Sequence, residues 1–160
     1  MAVTYESERV LDETSWRILE ILQADARISW AELGRRVNLS SPAVVERVQR
    51  LESAGIIQGY GAQVNLARLG YPVRAIIRID TNAHDNPVRN VQLMQRIPEV
   101  LECHRTTGED CYYVKVAAAD MERLTAVIEQ LGTMGRTKTS MVLESPILHK
   151  VVGPDGEAGK

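Results

Sequence analysis

The stretch Ile28–Leu51, ISWAELGRRVNLSSPAVVERVQRL, decides the fold of the N-terminal part of this chain. Ser29 followed by Glu32 forms a capping box, which predicts a helix that begins there and runs to about Val37. A short turn follows, and a second helix begins with Pro42 in its first turn, where a missing N–H costs nothing. Two short helices across a tight turn predict a helix-turn-helix, whose second helix fits the DNA major groove. An ordinary helical hairpin in a bundle has the same spacing.

The second of these helices has one apolar side and one polar side. Val44, Val48 and Leu51 recur at i, i+4 and i+7, so they are expected to face a core. The polar side and the helix start carry the residues expected to meet DNA, which are Ser40, Ser41, Pro42, Ala43, Glu46, Arg47 and Arg50.

Each of these candidate residues has an expected role. Arg47 and Arg50 are expected to hold phosphates or base edges. The two serines, of which one caps the helix, are expected to donate to phosphate near the helix N-terminus. Pro42 and Ala43 would face the bases, while Glu46 either accepts from a cytosine amine or pairs with Arg50 at i+4.

Composition indicates an ordinary globular protein. The chain has 160 residues, of which 44% are hydrophobic and 25% charged. Its apolar runs are too short to span a membrane, and its first residues lack the apolar core of a secretory signal. We therefore expect a cytoplasmic protein without a membrane partner, in which Cys103 and Cys111 are free thiols.

The charge pattern gives local support to DNA binding, although the whole chain has a net charge of −2. The segment Leu33–Leu51 holds four arginines against Glu46 alone. Such a patch acts at short range, but an acidic protomer is expected to bind DNA weakly on its own. Several linked copies would raise the occupancy.

The second half of the sequence has the period of a sheet with two helices. The predicted elements are a strand over Val73–Ile79, a helix from Asn86 to Ile97, strands over Val100–Thr107 and Cys111–Ala118, a helix capped by Asp120, and a strand over Thr137–Glu144. This order, β-α-β-β-α-β, predicts a ferredoxin-like antiparallel sheet with helices on one face. Dimerisation is the simplest cover for the other face.

These patterns predict an α+β protein with two domains. A winged helix-turn-helix is expected over residues 1–62, with 1–9 frayed and a short extended wing after the third helix. A linker over 63–72 leads to a ferredoxin-like effector and oligomerisation domain over 73–152. The polar tail 153–160 is expected to be disordered.

Both halves resemble the Lrp/AsnC (leucine-responsive/asparagine regulator) family, over roughly residues 10–150. The resemblance is carried by Leu11-Asp12, Ile18-Leu19, Asp25-Ala26-Arg27, Glu32-Leu33, Leu39-Ser40, Arg47-Val48, Arg50-Leu51-Glu52, Gly55-Ile56-Ile57, and, in the second half, the run Thr107–Tyr112. It implies a non-enzymatic transcriptional regulator that binds double-stranded DNA and forms dimers, often assembled into octamers. It also implies an amino acid or related metabolite as effector, bound between protomers beside a glycine turn, and no cofactor.

The candidate effector residues surround that turn, and they are Thr106, Thr107, Gly108, Glu109, Asp110, Cys111 and Tyr112. Family members that respond to amino acids often carry Gly-x-x-Asp, and Cys111 stands at the fourth position here. Glu109 and Asp110 are the alternative acceptors for an ammonium group, with hydroxyls from the threonines. Alternatively, Gly108 only supplies a positive-φ turn and the two acids are solvated.

Two other functional interpretations stay open from the sequence. One is an architectural protein that wraps DNA with little sequence preference. The other is a metabolite-binding module, or an enzyme, that carries a helical hairpin. A metal site is not expected, because His84, His104 and His149 are scattered and lack a second ligand at suitable spacing.

Overall fold

The structure, a computed structural model, describes residues 10–81 and 86–154 of the chain. Within these residues the contacts define two compact units, one formed by 10–62 with 147–154 and the other by 63–81 with 86–146. The predicted domain boundaries differ at both ends: the expected linker 63–72 belongs to the second unit, and residues 147–152 belong to the first. The segment 1–9, expected to be frayed, and residues 155–160 of the tail lie outside the described residues.

The first unit contains three helices, α1 (Glu13–Ala24), α2 (Trp30–Val37) and α3 (Ser41–Ser53). The Asp12 carboxylate accepts a hydrogen bond from the backbone N–H of Ser15 at 2.8 Å, which fixes the start of α1. The predicted cap of α2 is confirmed, since the Ser29 hydroxyl accepts from the N–H of Glu32. The helices enclose an apolar core that includes Ile18, Leu22, Leu33, Val44, Val48 and Leu51.

The turn between α2 and α3 brings two stretches of backbone very close together. The Leu39 N–H donates to the Gly34 carbonyl at 2.9 Å, and Asn38 ends α2 in the left-handed region at φ 55°. A Cβ on Gly34 would lie only 2.5 Å from the Leu39 carbonyl oxygen. The turn therefore requires glycine at this position.

The segment predicted to form a wing is not part of a sheet. Ile56 and Ile57 pack against the three-helix core, and residues 58–65 follow without strand or helix. Ile56 and Ile57 contact the helices and not another strand. Gly59 and Gly61, which follow them, are exposed and have no side chains that could pack a strand against the core.

The second unit is a four-stranded antiparallel sheet with two helices. Its elements are β1 (Val73–Thr81), α4 (Pro87–Gln95), β2 (Val100–Arg105), β3 (Tyr112–Ala118), α5 (Met121–Gly132) and β4 (Gly135–Met141). The strand order is β2-β3-β1-β4. The predicted ferredoxin-like arrangement is confirmed. Strand β4 begins and ends earlier than Thr137–Glu144, because its ladder with β1 runs from Gly135 opposite Thr81 to Met141 opposite Ala75.

Only one face of this sheet is covered by helices. Side chains that alternate along β1 and β3, such as Ile77 and Val114, are fully buried with Leu124 and Val127 of α5. Their neighbours on the other face are open to solvent, with Ile76 40% exposed. The sequence prediction of one uncovered face is therefore confirmed for the chain taken alone.

Replacing Gly34 by alanine tests the tight turn of the first unit. Because the new methyl group would meet the Leu39 backbone, the free energy of unfolding should fall by about 1–3 kcal/mol. The matched control is Gly61→Ala, where an added Cβ has no neighbour within 4 Å. Thermal denaturation followed by circular dichroism measures both variants, and equal melting temperatures for the two would contradict this account of the turn.

Candidate DNA-binding surface and effector turn

The polar side of α3 is open to solvent, as the sequence predicted. Pro42, Glu46 and Arg50 are exposed, while Ser41, Ala43 and Arg47 are half-buried. The apolar stripe of Val44, Val48 and Leu51 is sealed in the core, at 0%, 2% and 0% exposure. Ser40 is the N-cap residue of α3, but its side chain makes no capping hydrogen bond.

Arg47 is held inside the first unit by contacts that sequence reasoning missed. One guanidinium nitrogen lies 2.7 Å from each carboxylate oxygen of Asp12 and 3.1 Å from the Ser15 hydroxyl. Burial alone would raise the pKa of Asp12, but the hydrogen bonds from Arg47 and Ser15 outweigh it and lower that pKa to about 2. Arg47 therefore joins α3 to the start of α1.

The other three arginines of the motif are also paired with acids. Arg50 forms an ion pair with Glu46, which was one of the two expected roles of Glu46, and both side chains are about two-thirds exposed. Glu32 accepts from Arg35 at 2.7 and 2.8 Å and from Arg36 at 2.8 Å. The hydrogen bonds from Arg35 and then Arg36 lower the pKa of Glu32 to about 2.

These pairs reduce the local positive charge that the sequence suggested. Two of the partner acids lie outside Leu33–Leu51. Glu32 comes one residue before that segment, and Asp12 lies 35 residues from Arg47 along the chain. Four arginines therefore stand against three carboxylates. Glu32 was readable as a partner from its i+3 and i+4 spacing, whereas the Asp12 contact depends on how α1 packs on α3.

The turn between β2 and β3 is held by hydrogen bonds within the turn and by one to β1. Gly108 has φ +112°, so the positive-φ role expected for it is confirmed. The Thr106 hydroxyl donates to the Asp110 carbonyl at 2.6 Å, and the Cys111 N–H donates to the Ile79 carbonyl at 2.8 Å. The Thr106 hydroxyl is thus engaged within the turn, while Thr107 is exposed.

Asp110 is not the solvated acid of one sequence-based alternative. Its side chain is only 7% exposed, and its carboxylate lies 3.3 Å from the Lys138 ammonium and 3.5 Å from the Arg78 guanidinium. Glu109, by contrast, is exposed. Two cations therefore meet one buried carboxylate beside the turn, and Glu109 is the acid that remains open to solvent.

Tyr112 is placed differently from the other candidate effector residues. It is fully buried in the core between sheet and helices, so its ring does not line the uncovered face. Tyr113 lies on that uncovered face and is 38% exposed. The expected opposite orientation of the two tyrosines is confirmed, and its consequence is that Tyr112 serves the core.

Arg78 and Lys138 were not among the predicted site residues. They are direct partners in the ladder between β1 and β4, and like charges placed opposite each other destabilise a sheet unless an acid lies between them. That rule points to a buried carboxylate near the pair. Applying the rule requires knowing which residue of β4 lies opposite Arg78, and the sequence alone does not fix that register.

Other candidate chemistry is sparse over the described parts of the chain. Cys103 and Cys111 are free thiols, and burial raises the pKa of Cys103. Among residues 10–81 and 86–154 no group of three or more metal-ligating side chains is present; His84 lies outside them. No helix in the same ranges is long and apolar enough to cross a membrane.

Comparison with known families matches both units. The profile of the AsnC-type helix-turn-helix domain matches residues 11–52. The profile of the Lrp/AsnC ligand binding domain matches residues 74–152. The two matches follow one another in the same order as the two units.

Full-length relatives are similar over most of this chain. The regulator LrpC of Bacillus subtilis is 36% identical over 132 residues, which cover 82% of this chain and 91% of LrpC. The leucine-responsive regulatory protein of Klebsiella pneumoniae is 36% identical over 140 residues, covering 84% of this chain and 85% of that protein.

Solved structures show the same fold. The structure of B. subtilis LrpC has a TM-score of 0.79 at 35% identity and covers 84% of this chain and 96% of its own. A complex of the Neisseria meningitidis regulator NMB0573 with L-methionine has a TM-score of 0.79 at 30% identity. The match covers 87% of this chain and 93% of that regulator's chain.

A helix-turn-helix unit followed by a ferredoxin-like unit, each matching its own family profile, is the organisation of a two-domain transcriptional regulator. The chain belongs to the Lrp/AsnC family of these regulators. It is a DNA-binding transcriptional regulator with a domain of the Lrp/AsnC ligand-binding type, and not an enzyme, as the resemblance implied.

Removing the charge of Asp110 tests the electrostatics of the turn. Asp110→Asn leaves Arg78 and Lys138 facing each other without a carboxylate, so the free energy of unfolding should fall by about 1–3 kcal/mol. Added salt should recover part of this loss because it screens the repulsion. The control is Glu109→Gln, an exposed change expected within about 0.5 kcal/mol of wild type. Urea denaturation at low and high salt measures both; an Asp110→Asn variant as stable as the control would contradict the assignment.

Proposed function

We propose that this regulator recognises specific DNA sequences through the exposed side of α3 and the residues at its start. The observation that carries the proposal is the division of α3 into a sealed apolar stripe and an open polar side. Because Ser40 makes no capping bond, its hydroxyl and the first N–H groups of α3 are available to a phosphate. Pro42 and Glu46 would then face the bases.

Arg50 is the arginine best suited to leave its partner for DNA. Its ion pair with Glu46 is exposed on both sides, and such pairs contribute only about 0–1 kcal/mol. Arg35 and Arg36 are similarly exposed and share one carboxylate. Arg47 is bound to both oxygens of Asp12 and to Ser15, so we assign it the role of positioning α3 and not that of a phosphate contact.

The salt dependence of DNA binding separates these two arginine roles. Selection from a random pool of duplexes supplies a binding sequence, and its affinity is then measured over a range of salt concentrations. Arg50→Met should weaken binding and lower the slope of log K against log salt by about 1, since one phosphate contact is lost. Arg47→Met should lower the melting temperature and weaken binding without changing that slope.

The same measurement includes the outcomes that oppose the proposal. A changed slope for Arg47→Met together with an unchanged slope for Arg50→Met would reverse the two roles. Failure of the selection to enrich any sequence, with tight binding to all duplexes, would favour the architectural alternative. Absence of binding at low salt would defeat DNA recognition by this surface.

Self-association through the uncovered sheet face is part of the proposal. That face combines exposed apolar side chains, Ile76 and Tyr113, with charged ones, and a second copy of the sheet would remove the apolar groups from water. Dimers, and higher multiples such as an octamer, would place several α3 helices on one DNA and offset the weak binding of an acidic protomer. Binding to the chromosome implies the cytoplasmic location expected from the sequence.

We further propose an amino acid or a related small metabolite as effector, bound between protomers beside the Gly108 turn. Support comes from the relative solved with L-methionine and from the charges at this turn. Arg78 and Lys138 exceed the charge of Asp110 by one, which suits a carboxylate. Glu109 is exposed and suits an ammonium group. Asp110 is already engaged by two cations and is not assigned that role.

A thermal-shift screen with the twenty common amino acids tests the effector. An amino acid present at 100 times its dissociation constant should stabilise the protein by about 2.7 kcal/mol. Glu109→Gln should remove most of the shift caused by the active amino acid, while Glu129→Gln, an exposed change on α5, should keep it. If Glu109→Gln retains the full shift, the ammonium is held elsewhere; if no amino acid produces a shift, this class of effector is wrong.

A further inference from the structure

The C-terminal part of the chain returns to the helix-turn-helix unit and binds to α1. The side-chain amide of Gln23 donates from Nε2 to the Val152 carbonyl at 3.0 Å, and its Oε1 accepts from the Val152 N–H at 2.9 Å. One side chain thus satisfies both backbone groups of a residue that lies 129 positions away. The residues 147–154, grouped with this unit, are called the strap below.

One residue of the strap, Val152, borders a groove with mainly apolar walls, and this valine is 57% exposed. The groove has a volume of about 470 Å³ and is bordered by Leu11, Trp16, Leu22, Ile57, Tyr60 and, from the strap, Val152. Gly153, next along the strap, is buried. Pro154 borders a second concavity together with Thr14 and Arg17 of α1. The hydrogen bonds to Gln23 are therefore accompanied by burial of Gly153, which with Pro154 is the part of the tail 153–160 that the structure describes.

The strap gives the first unit a second covalent connection to the second unit. The chain passes from the first unit to the second after residue 62. It returns to the first unit after β4, through residues 142–146. Strand β4 carries Lys138, which contacts Asp110 at the effector turn. Helix α1, to which the strap binds, carries Ser15 and follows directly on Asp12, and both of these contact Arg47 of α3.

We infer that the surface of α1 around Gln23 is a docking site for the strap, and that this docking restrains the helix-turn-helix unit for binding to paired DNA sites. A restrained unit loses less conformational freedom when two copies bind one duplex, so the strap favours paired binding. The restraint rests on the proposed DNA recognition, whereas the docking itself does not.

Cleavage by endoproteinase Lys-C measures the docking directly. The chain has only four lysines, at 115, 138, 150 and 160; the first two lie in paired strands, and Lys150 lies in the strap. Lys150 itself is exposed, but a protease binds several residues on each side of the bond it cuts, so cleavage there requires Val152, two residues further on, to release Gln23. Gln23→Ala removes both hydrogen bonds and favours the helix, and Val152→Pro removes the N–H that Gln23 accepts. Each should accelerate this cleavage about five- to thirtyfold.

The matched control is Gln58→Ala, since Gln58 borders the same groove but is not hydrogen-bonded to the strap in the structure. Its cleavage rate should equal that of wild type. Equal rates for wild type, Gln23→Ala and Val152→Pro would overturn the docking, and so would equal acceleration by Gln58→Ala.

Affinity for DNA then tests the restraint. With a selected duplex that carries two half-sites, Gln23→Ala should bind severalfold more weakly than wild type. With a duplex cut down to one half-site, the two proteins should bind equally, and the salt slope should not change because Gln23 is uncharged and its replacement removes no phosphate contact. Unchanged affinity for the paired duplex, despite faster cleavage, would overturn the restraint. Absence of DNA binding by wild type would instead count against the proposed function.

Discussion

The carboxylate of Asp12 fixes the arrangement of the helices on which DNA recognition depends. It accepts from the Ser15 N–H, which sets the start of α1, and it binds the guanidinium of Arg47, which comes from the middle of α3. Helix α2 is held against the start of α3 because the turn between them leaves no room for a side chain at Gly34. The position of the recognition helix thus depends on a carboxylate outside the helix-turn-helix sequence itself. A pair that spans two helices in this way constrains their geometry more than an i,i+4 pair on one helix does.

The second unit shows the same use of one acid between two cations. Arg78 and Lys138 would repel each other across β1 and β4, and the Asp110 carboxylate relieves that repulsion. The turn at Gly108 is therefore tied to two strands as well as to its own backbone. This arrangement differs from a solvated turn in its consequence for regulation. A ligand that competes for the cations would alter the contact of β4 with the turn.

Local patterns were sufficient to predict most of the fold, whereas contacts between distant segments were not predictable. The capping box at Ser29, the stripe of Val44, Val48 and Leu51, and the alternation along β1 each depend on spacing within one element, and each is confirmed. Arg47 with Asp12, Lys138 with Asp110, and Gln23 with Val152 depend on how separate elements pack. The prediction of a wing was wrong for a related reason. Ile56 and Ile57 suit a strand by propensity, but they pack, partly buried, against the nearby helical core instead.

In the proposed mode of binding, the pairing of arginines with acids would make DNA binding by a chain of net charge −2 selective. An unpaired arginine gains the full attraction of any phosphate, whereas a paired one gains only the difference between phosphate and its carboxylate. In the proposed mode of binding, Arg50 moves to DNA and leaves Glu46 without its partner. An unpaired carboxylate close to phosphates is unfavourable unless it accepts a hydrogen bond, and in the major groove the amines of cytosine and adenine can donate one, of which the cytosine amine is the usual partner of a glutamate. The transfer of Arg50 from Glu46 to a phosphate and the contact of Glu46 with a base would then occur together. The affinity that the Arg50–phosphate contact contributes would therefore depend on which base Glu46 meets.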